Sequence, residues 1–284
     1  MTTARQALEA ARRRLERAST SPMLDAELLL ASTLGIARGR LLAEDERRLT
    51  PEDLAQLEAL VARRAAGEPI AYLTGRRGFW SQDLLVTPAV LVPRPETELL
   101  VELALARMAG RTDPAVLDLG TGSGAVAIAI ASERPDSRVT AVDQSEAALD
   151  VARGNAAAAG IGNIELLAGH WFEPVAGRRF DVIVANPPYL AEHDPHLPAL
   201  VHEPRSALVA GPTGLEAIAE ILAGTPAHLA PGGWLAVEHG YGQAQAVRAL
   251  FEQSGLVRVA THQDLAGLDR ATLGCRPAQE ALSG

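Results

Sequence analysis

The chain contains no lysine: all 26 basic residues among its 284 are arginine, which reads as a coding bias rather than a functional device. It has a single cysteine, Cys275, so an internal disulfide is excluded and a reducing compartment is suited. No apolar run approaches the ~18 residues that a membrane-crossing helix requires. Met1 to Arg17 carries Arg5, Arg12, Arg13 and Arg14 without an apolar stretch, so no secretory signal is expected there. The expected location is therefore the cytoplasm, with no membrane partner. Excess positive charge is missing as well. Residues 1–80 hold 13 Arg against 11 acids, a net of +2, whereas residues 81–284 hold 13 against 24, a net of −11. A half this acidic is a poor non-specific ligand for duplex phosphates. Direct binding of duplex nucleic acid is not expected, and a monomer is.

What is present suits an enzyme of two domains. The chain is longer than a typical single domain and 48% of it is hydrophobic, enough for a sizeable core. Three segments of helical period precede Gly67-Glu68-Pro69. Ala7, Leu8, Ala11 and Leu15 form one face. Leu24, Leu28, Leu29, Ser32 and Leu34 belong to a second helix that Gly35 closes. The third starts at Thr50, with Pro51 in the first turn and Asp53 three residues on. They predict a helical bundle over residues 1–75, for recognition of a partner or simply for packing. Phe79, Trp80, Leu84, Val86, Val90 and Leu91 predict a hairpin linker over residues 76–92. From there to residue 284, strands alternate with helices, the mark of a doubly wound α/β sheet. Strands are expected near 115–119, 138–142, 163–167, 180–185, 232–238, 256–261 and 270–275. The last two lie too close for a helical crossover and should pair antiparallel.

Two motifs carry chemistry. In the first, the strand Val116-Leu117-Asp118-Leu119 runs into Gly120-Thr121-Gly122-Ser123-Gly124 and then into an apolar helix. Glycines at alternating positions let the backbone approach a ligand, and the helix start offers free N–H groups. Asp143 ends the next strand about 20 residues on, where an acid can accept both hydroxyls of a ribose. The spacing also fits a dinucleotide loop. However, Asp118 would repel a phosphate and suits a cationic amine, and Gly124 exceeds what the dinucleotide pattern asks. These residues favour S-adenosylmethionine over NAD.

The second motif, Asn186-Pro187-Pro188-Tyr189, follows the apolar strand Phe180–Ala185. An Asn carbonyl and a backbone carbonyl can each accept one hydrogen of a planar NH2 group. The prolines stiffen the turn and remove competing donors, and a Tyr face can stack on a flat group. The tetrapeptide grips a planar amino group without choosing between a nucleobase and an amide.

Gly67–Gly75 (GEPIAYLTG) and Pro93–Glu98 (PRPETE) carry a more specific signal. Asp25–Leu30, Glu203–Leu208 (EPRSAL), Glu238-His239-Gly240 and Asp264–Gly267 continue it along nearly the full length. In these segments the chain resembles the glutamine methyltransferases that modify peptide chain release factors. The resemblance implies a Rossmann-like sheet of seven strands behind a helical domain. It implies methyl transfer from S-adenosyl-L-methionine, leaving S-adenosyl-L-homocysteine, to the side-chain nitrogen of the Gln in a Gly-Gly-Gln motif, in support of translation termination. By the same resemblance Gly120, Thr121, Gly122, Ser123 and Gly124 would line the methionine end of the cofactor. Asp143 would hold its ribose, Trp171 would lie near the adenine, and Asn186 would border it. Asn186, the Pro187 carbonyl and Tyr189 would form the catalytic group, with Pro188 and Arg94 also facing substrate. One departure is His170, where family members often carry an acid.

Other readings remain on the sequence. A DNA adenine methyltransferase would share both motifs but should add a basic recognition region, which is not visible. His193, His196 and His202, with Asp194 and Glu203 nearby, match no zinc spacing, so no metal is expected. Arg94 is placed either on a ligand or in an ion pair with Glu96 or Glu98.

Overall fold

A computed structural model describes residues 2–278. The chain forms two compact units, Met1–Arg76 and Arg77–Gly284.

The first unit is helical: α1 (Ala4–Leu15), α2 (Pro22–Leu34), α3 (Pro51–Ala65) and a short α4 (Ile70–Thr74). The start of α3 follows from its sequence. Asp53 N donates to Thr50 Oγ1 at 3.1 Å and Thr50 N donates to the Asp53 carboxylate at 2.9 Å, a reciprocal cap that satisfies two orphan donors. In α1 the buried positions are Ala4, Ala7, Ala11 and Leu15, while Leu8 is half-buried against the same core. The predicted second helix, closed by Gly35, is present. Leu24 is 41% exposed, and Asp25, Ala26, Leu29, Leu30 and Ala31 face inward. Leucines wrap most of this helix, so their period alone does not select a side. Arg64 of α3 makes the choice by drawing the Asp25 carboxylate inward at 2.7 Å.

The second unit opens with a hairpin, β1 (Arg76–Phe79) and β2 (Gln82–Leu85). It is shorter than the 76–92 expected. The ladder ends at Leu85, and Val86, Val90 and Val92 are buried without belonging to a strand. Then come α5 (Glu98–Met108), β3 (Ala115–Leu119), α6 (Ala125–Glu133), β4 (Arg138–Asp143), α7 (Glu146–Ala158), β5 (Ile164–Ala168) and β6 (Phe180–Ala185). The short strands β7 (Leu190–Ala191) and β8 (Val209–Gly211) pair with each other in parallel. They are followed by α8 (Glu216–His228), β9 (Leu229–Glu238), α9 (Ala244–Gln253), β10 (Val257–Gln263) and β11 (Asp269–Cys275).

Seven strands form one sheet in the order β10-β11-β9-β6-β3-β4-β5, with β10–β11 and β11–β9 antiparallel and the rest parallel. Alternate strand residues feed two cores. Val116, Val182, Val184 and Ala236 join α5 and α6 on one face. Leu117, Leu119, Ile183, Ala185, Leu235 and Val237 join α8 and α9 on the other. With both faces covered, the strands read as continuous apolar runs. From β3 the order proceeds to β4 and β5 on one side and to β6 and β9 on the other. The segments that leave the paired carboxyl ends of β3 and β6 therefore turn to opposite faces at a topological switch point, where such sheets open a crevice.

Candidate active site

A cleft open to solvent lies at this switch point. Its floor is the loop after β3. Gly120, Gly122 and Gly124 all have positive φ, of 74°, 55° and 81°. The loop is held down by Gly120 N and Thr121 N, which donate to the Val142 carbonyl at 2.9 and 3.0 Å. Asn155 braces it from behind, giving Nδ2 to the Ser123 and Leu85 carbonyls and accepting Leu85 N on Oδ1.

Two carboxylates face the cleft. Asp118 is 2% exposed and accepts the Thr121 hydroxyl at 2.6 Å. Burial, with a further push from nearby Asp143, raises its pKa to about 6. Asp143 accepts Gly122 N at 2.8 Å and Ser145 N at 2.9 Å, and burial raises its pKa too. One wall is aromatic. Trp171, in the left-handed region at φ 42°, lies so near Gly120 that a Cβ there would sit 3.4 Å from its ring. Glu220 of α8 holds this wall by both oxygens, accepting Trp171 Nε1 at 3.0 Å and meeting His170 Nε2 at 2.8 Å. His170 is thus engaged by an acid that sequence inspection did not connect to it.

The opposite wall is the end of β6. Asn186 donates Nδ2 to the Thr97 hydroxyl at 3.1 Å. Glu238, the last residue of β9 and 1% exposed, is buried near Thr97, and burial pushes its pKa up to about 7. Gln243 ties down the far side of the tetrapeptide, giving Nε2 to the Tyr189 and Gly214 carbonyls and accepting Gly240 N. The Tyr189 phenol is pushed up to about 12, by burial first and then by the Glu238 charge.

Of the residues singled out from sequence, Gly120, Thr121, Gly122, Ser123, Asp143, Trp171, Asn186, Pro188 and Arg94 line the cleft. Gly124, Pro187 and Tyr189 are not among its lining residues. For Gly124 the reason is internal. A Cβ there would meet Ile128 Cδ1 at 2.9 Å and Ala152 Cβ at 3.2 Å, so the position is glycine for packing at the head of α6. Arg94 is a correction. It pairs with Glu203 at 2.5 Å, not with Glu96 or Glu98. Glu203 is 8% exposed and also accepts Val92 N, so it braces the substrate-side loop. His196 is spent on Asp194 at 2.8 Å, and among the described residues no group of three His, Cys, Asp or Glu is arranged for a metal. Sequence reading missed Thr97, Glu220 and Gln243, and it did not put Pro204, Ser206 and Ala207 on the cleft wall.

A family model described as "Methyltransferase small domain" matches residues 95–262. Together with the strand order and the cleft beside β3, it defines the chain as a Rossmann-like S-adenosylmethionine-dependent methyltransferase. A second model, "PrmC N-terminal domain", matches residues 6–75. A release factor glutamine methyltransferase of Xylella fastidiosa is 50% identical over 272 residues, covering 95% of this chain and 97% of that protein. One of Burkholderia pseudomallei is 52% identical, covering 93% and 95%. The chain belongs to the release factor glutamine methyltransferase family. Among solved structures, a methyltransferase of Pyrococcus furiosus shares the fold, with a TM-score of 0.54 and 20% identity over 78% of this chain and 98% of that one. Among the described residues no helix is long and apolar enough to cross a membrane.

Proposed function

We propose that the protein transfers a methyl group from S-adenosyl-L-methionine to the side-chain amide nitrogen of the Gly-Gly-Gln glutamine of a peptide chain release factor. The observation that carries this reading is Asn186 at the mouth of β6, lining the cleft with its Nδ2 given to Thr97. The family relatives supply the identity of the substrate.

The cleft's donor set fits the methyl donor. Asp143 spends two acceptor sites on Gly122 N and Ser145 N, and a carboxylate has about four, so the ribose diol finds acceptors there. Asp118, buried without a cationic partner among the described residues, would gain one in the donor's ammonium group. Trp171 offers a flat face for the adenine. Once bound, S-adenosylmethionine supplies a sulfonium methyl, an electrophile that demands alignment and exclusion of water rather than acid–base activation.

The protein's part is to present the nucleophile. An amide nitrogen keeps its lone pair in its π-system. Asn186 Oδ1 and the Pro187 carbonyl, each accepting one N–H, favour a nitrogen that is becoming pyramidal and positive over the planar ground state. Holding that nitrogen in place also removes much of the entropic cost of encounter. The bound donor would supply the methyl and retain the electrons of the broken S–C bond, and the methylated amide would lose its extra proton to water. Tyr189 is assigned to the flank of the substrate amide. The helical unit, residues 1–75, is assigned to recognising the release factor, residues 76–92 to a linker and residues 93–284 to catalysis. A cytoplasmic monomer with a protein substrate, rather than duplex nucleic acid, accords with the −11 charge of residues 81–284.

Asn186→Ala tests the reading. Cofactor affinity measured by calorimetry should persist while turnover falls by about 100-fold or more, on the order of 3 kcal/mol. Turnover near that of the unaltered protein would overturn it.

A further inference from the structure

We propose that Thr97 is a positioning residue for this reaction: backed by Glu238, its hydroxyl captures Asn186 Nδ2 and so turns Asn186 Oδ1, the acceptor, toward the substrate nitrogen. This inference rests on the assignment of Asn186 as the acceptor of the substrate amide.

The inference follows from counting donors and acceptors. A threonine hydroxyl has one proton to give. Thr97 is 5% exposed, and Glu238 behind it is 1% exposed. The register places Glu238 beside Asn186, because Ala185 of β6 pairs with Val237 of β9. An ionised Glu238 accepts only, so with the Thr97 proton turned toward it the Thr97 oxygen is left to accept. The group it accepts is Asn186 Nδ2, at 3.1 Å. An amide has two ends, and fixing the nitrogen on Thr97 fixes the oxygen on the other side. With the amide reversed, two N–H groups would face the two N–H groups of the substrate. Among the described residues the Glu238 Oε2 atom has no hydrogen-bond partner, which marks this carboxylate as held in place at a cost rather than placed for stability.

The device is sensitive to protonation. A neutral Glu238 can donate to Thr97, which frees the Thr97 proton to bond Asn186 Oδ1 and permits the reversed amide. The groups facing Glu238 bear on that equilibrium in both directions. Burial and Glu96 raise its pKa, to about 7, and Arg270 and Arg94 lower it. Tyr189, whose phenol is pushed well above neutrality, and its buried neighbour His239, whose pKa burial lowers, remain uncharged across this range. Turnover at saturating cofactor should therefore fall as pH drops through about 7.

The test compares Thr97→Val, Thr97→Ser, Glu238→Gln and Asn186→Ala in the full chain, with S-adenosylmethionine affinity and methyl transfer to a release factor measured separately. Thr97→Val should lose on the order of tenfold in kcat with cofactor affinity retained, and Thr97→Ser should recover it. Glu238→Gln should abolish the acid limb. A fast Thr97→Val beside a slow Asn186→Ala would overturn the role of Thr97 while sparing that of Asn186. A fast Asn186→Ala would overturn both. Should Thr97→Val not fold, the limb decides: its loss in Glu238→Gln supports the proposal, and an unchanged limb there, or none in the unaltered protein, overturns it.

Discussion

Gln243 donates its side-chain amide to the Tyr189 carbonyl at 3.0 Å, joining the first turn of α9 to the tetrapeptide that ends β6. The same nitrogen reaches the Gly214 carbonyl at 3.2 Å, and the Gln243 oxygen accepts Gly240 N at 2.9 Å. Three loops thus converge on one neutral amide. Gln243→Glu would set an acceptor-only carboxylate against two carbonyl oxygens, a loss of about 1–3 kcal/mol of local order. The expected outcome is a kcat lower by about tenfold with cofactor affinity unchanged, the gap to the unaltered protein narrowing at acid pH where the new carboxyl can donate. Steady-state kinetics across pH checks it, and a flat response would contradict it.

Gly122 and Gly124 should respond differently to the same substitution. At Gly122 a Cβ meets nothing within 4 Å, so Gly122→Ala should cost only the ~1 kcal/mol of a left-handed alanine and weaken cofactor binding. At Gly124 the Cβ collides with Ile128 and Ala152, so Gly124→Ala should lower the melting temperature by several degrees more. Thermal unfolding and cofactor titration of the pair separate the two roles. Equal melting temperatures would refute the packing account.

Asp118 makes cofactor binding depend on pH. Its pKa in the unliganded protein is about 6, raised by burial. Pairing with the ammonium group of S-adenosylmethionine would lower it, because an opposite charge favours the ionised form. Binding near pH 6 should therefore release a proton, and affinity should weaken as pH falls from 7 to 5. Calorimetry in buffers of different ionisation enthalpy reads the proton directly. Asp118→Asn should bind weakly and without this pH trend.

The sheet was legible because each buried strand is a short apolar run ended by a turn or an acid. Val116–Leu119 before the glycines and Phe180–Ala185 before Asn186 placed the two halves of the cleft. Contacts remote in sequence were not legible. Arg94 finds Glu203 across 109 positions, where local spacing had suggested Glu96 or Glu98. Thr97 stood in the sequence only as part of the Pro93–Glu98 motif, and only the fold brings it within 3.1 Å of Asn186. Glu220 bears no relation to His170 until α8 lies beside the loop after β5. The buried side of α2 was not legible for a different reason: its apolar residues exceed one face, and an ion pair from α3 selects the side.

The central claim is the chemical identity of the acceptor, and peptide mass mapping tests it most directly. The purified protein is incubated with S-adenosylmethionine and a release factor, and the digested factor is searched for an added methyl group. A single methyl on the glutamine of the Gly-Gly-Gln motif, absent when Asn186→Ala is used, is the result predicted here. Methyl on DNA supplied in parallel, or none on that glutamine, would contradict it.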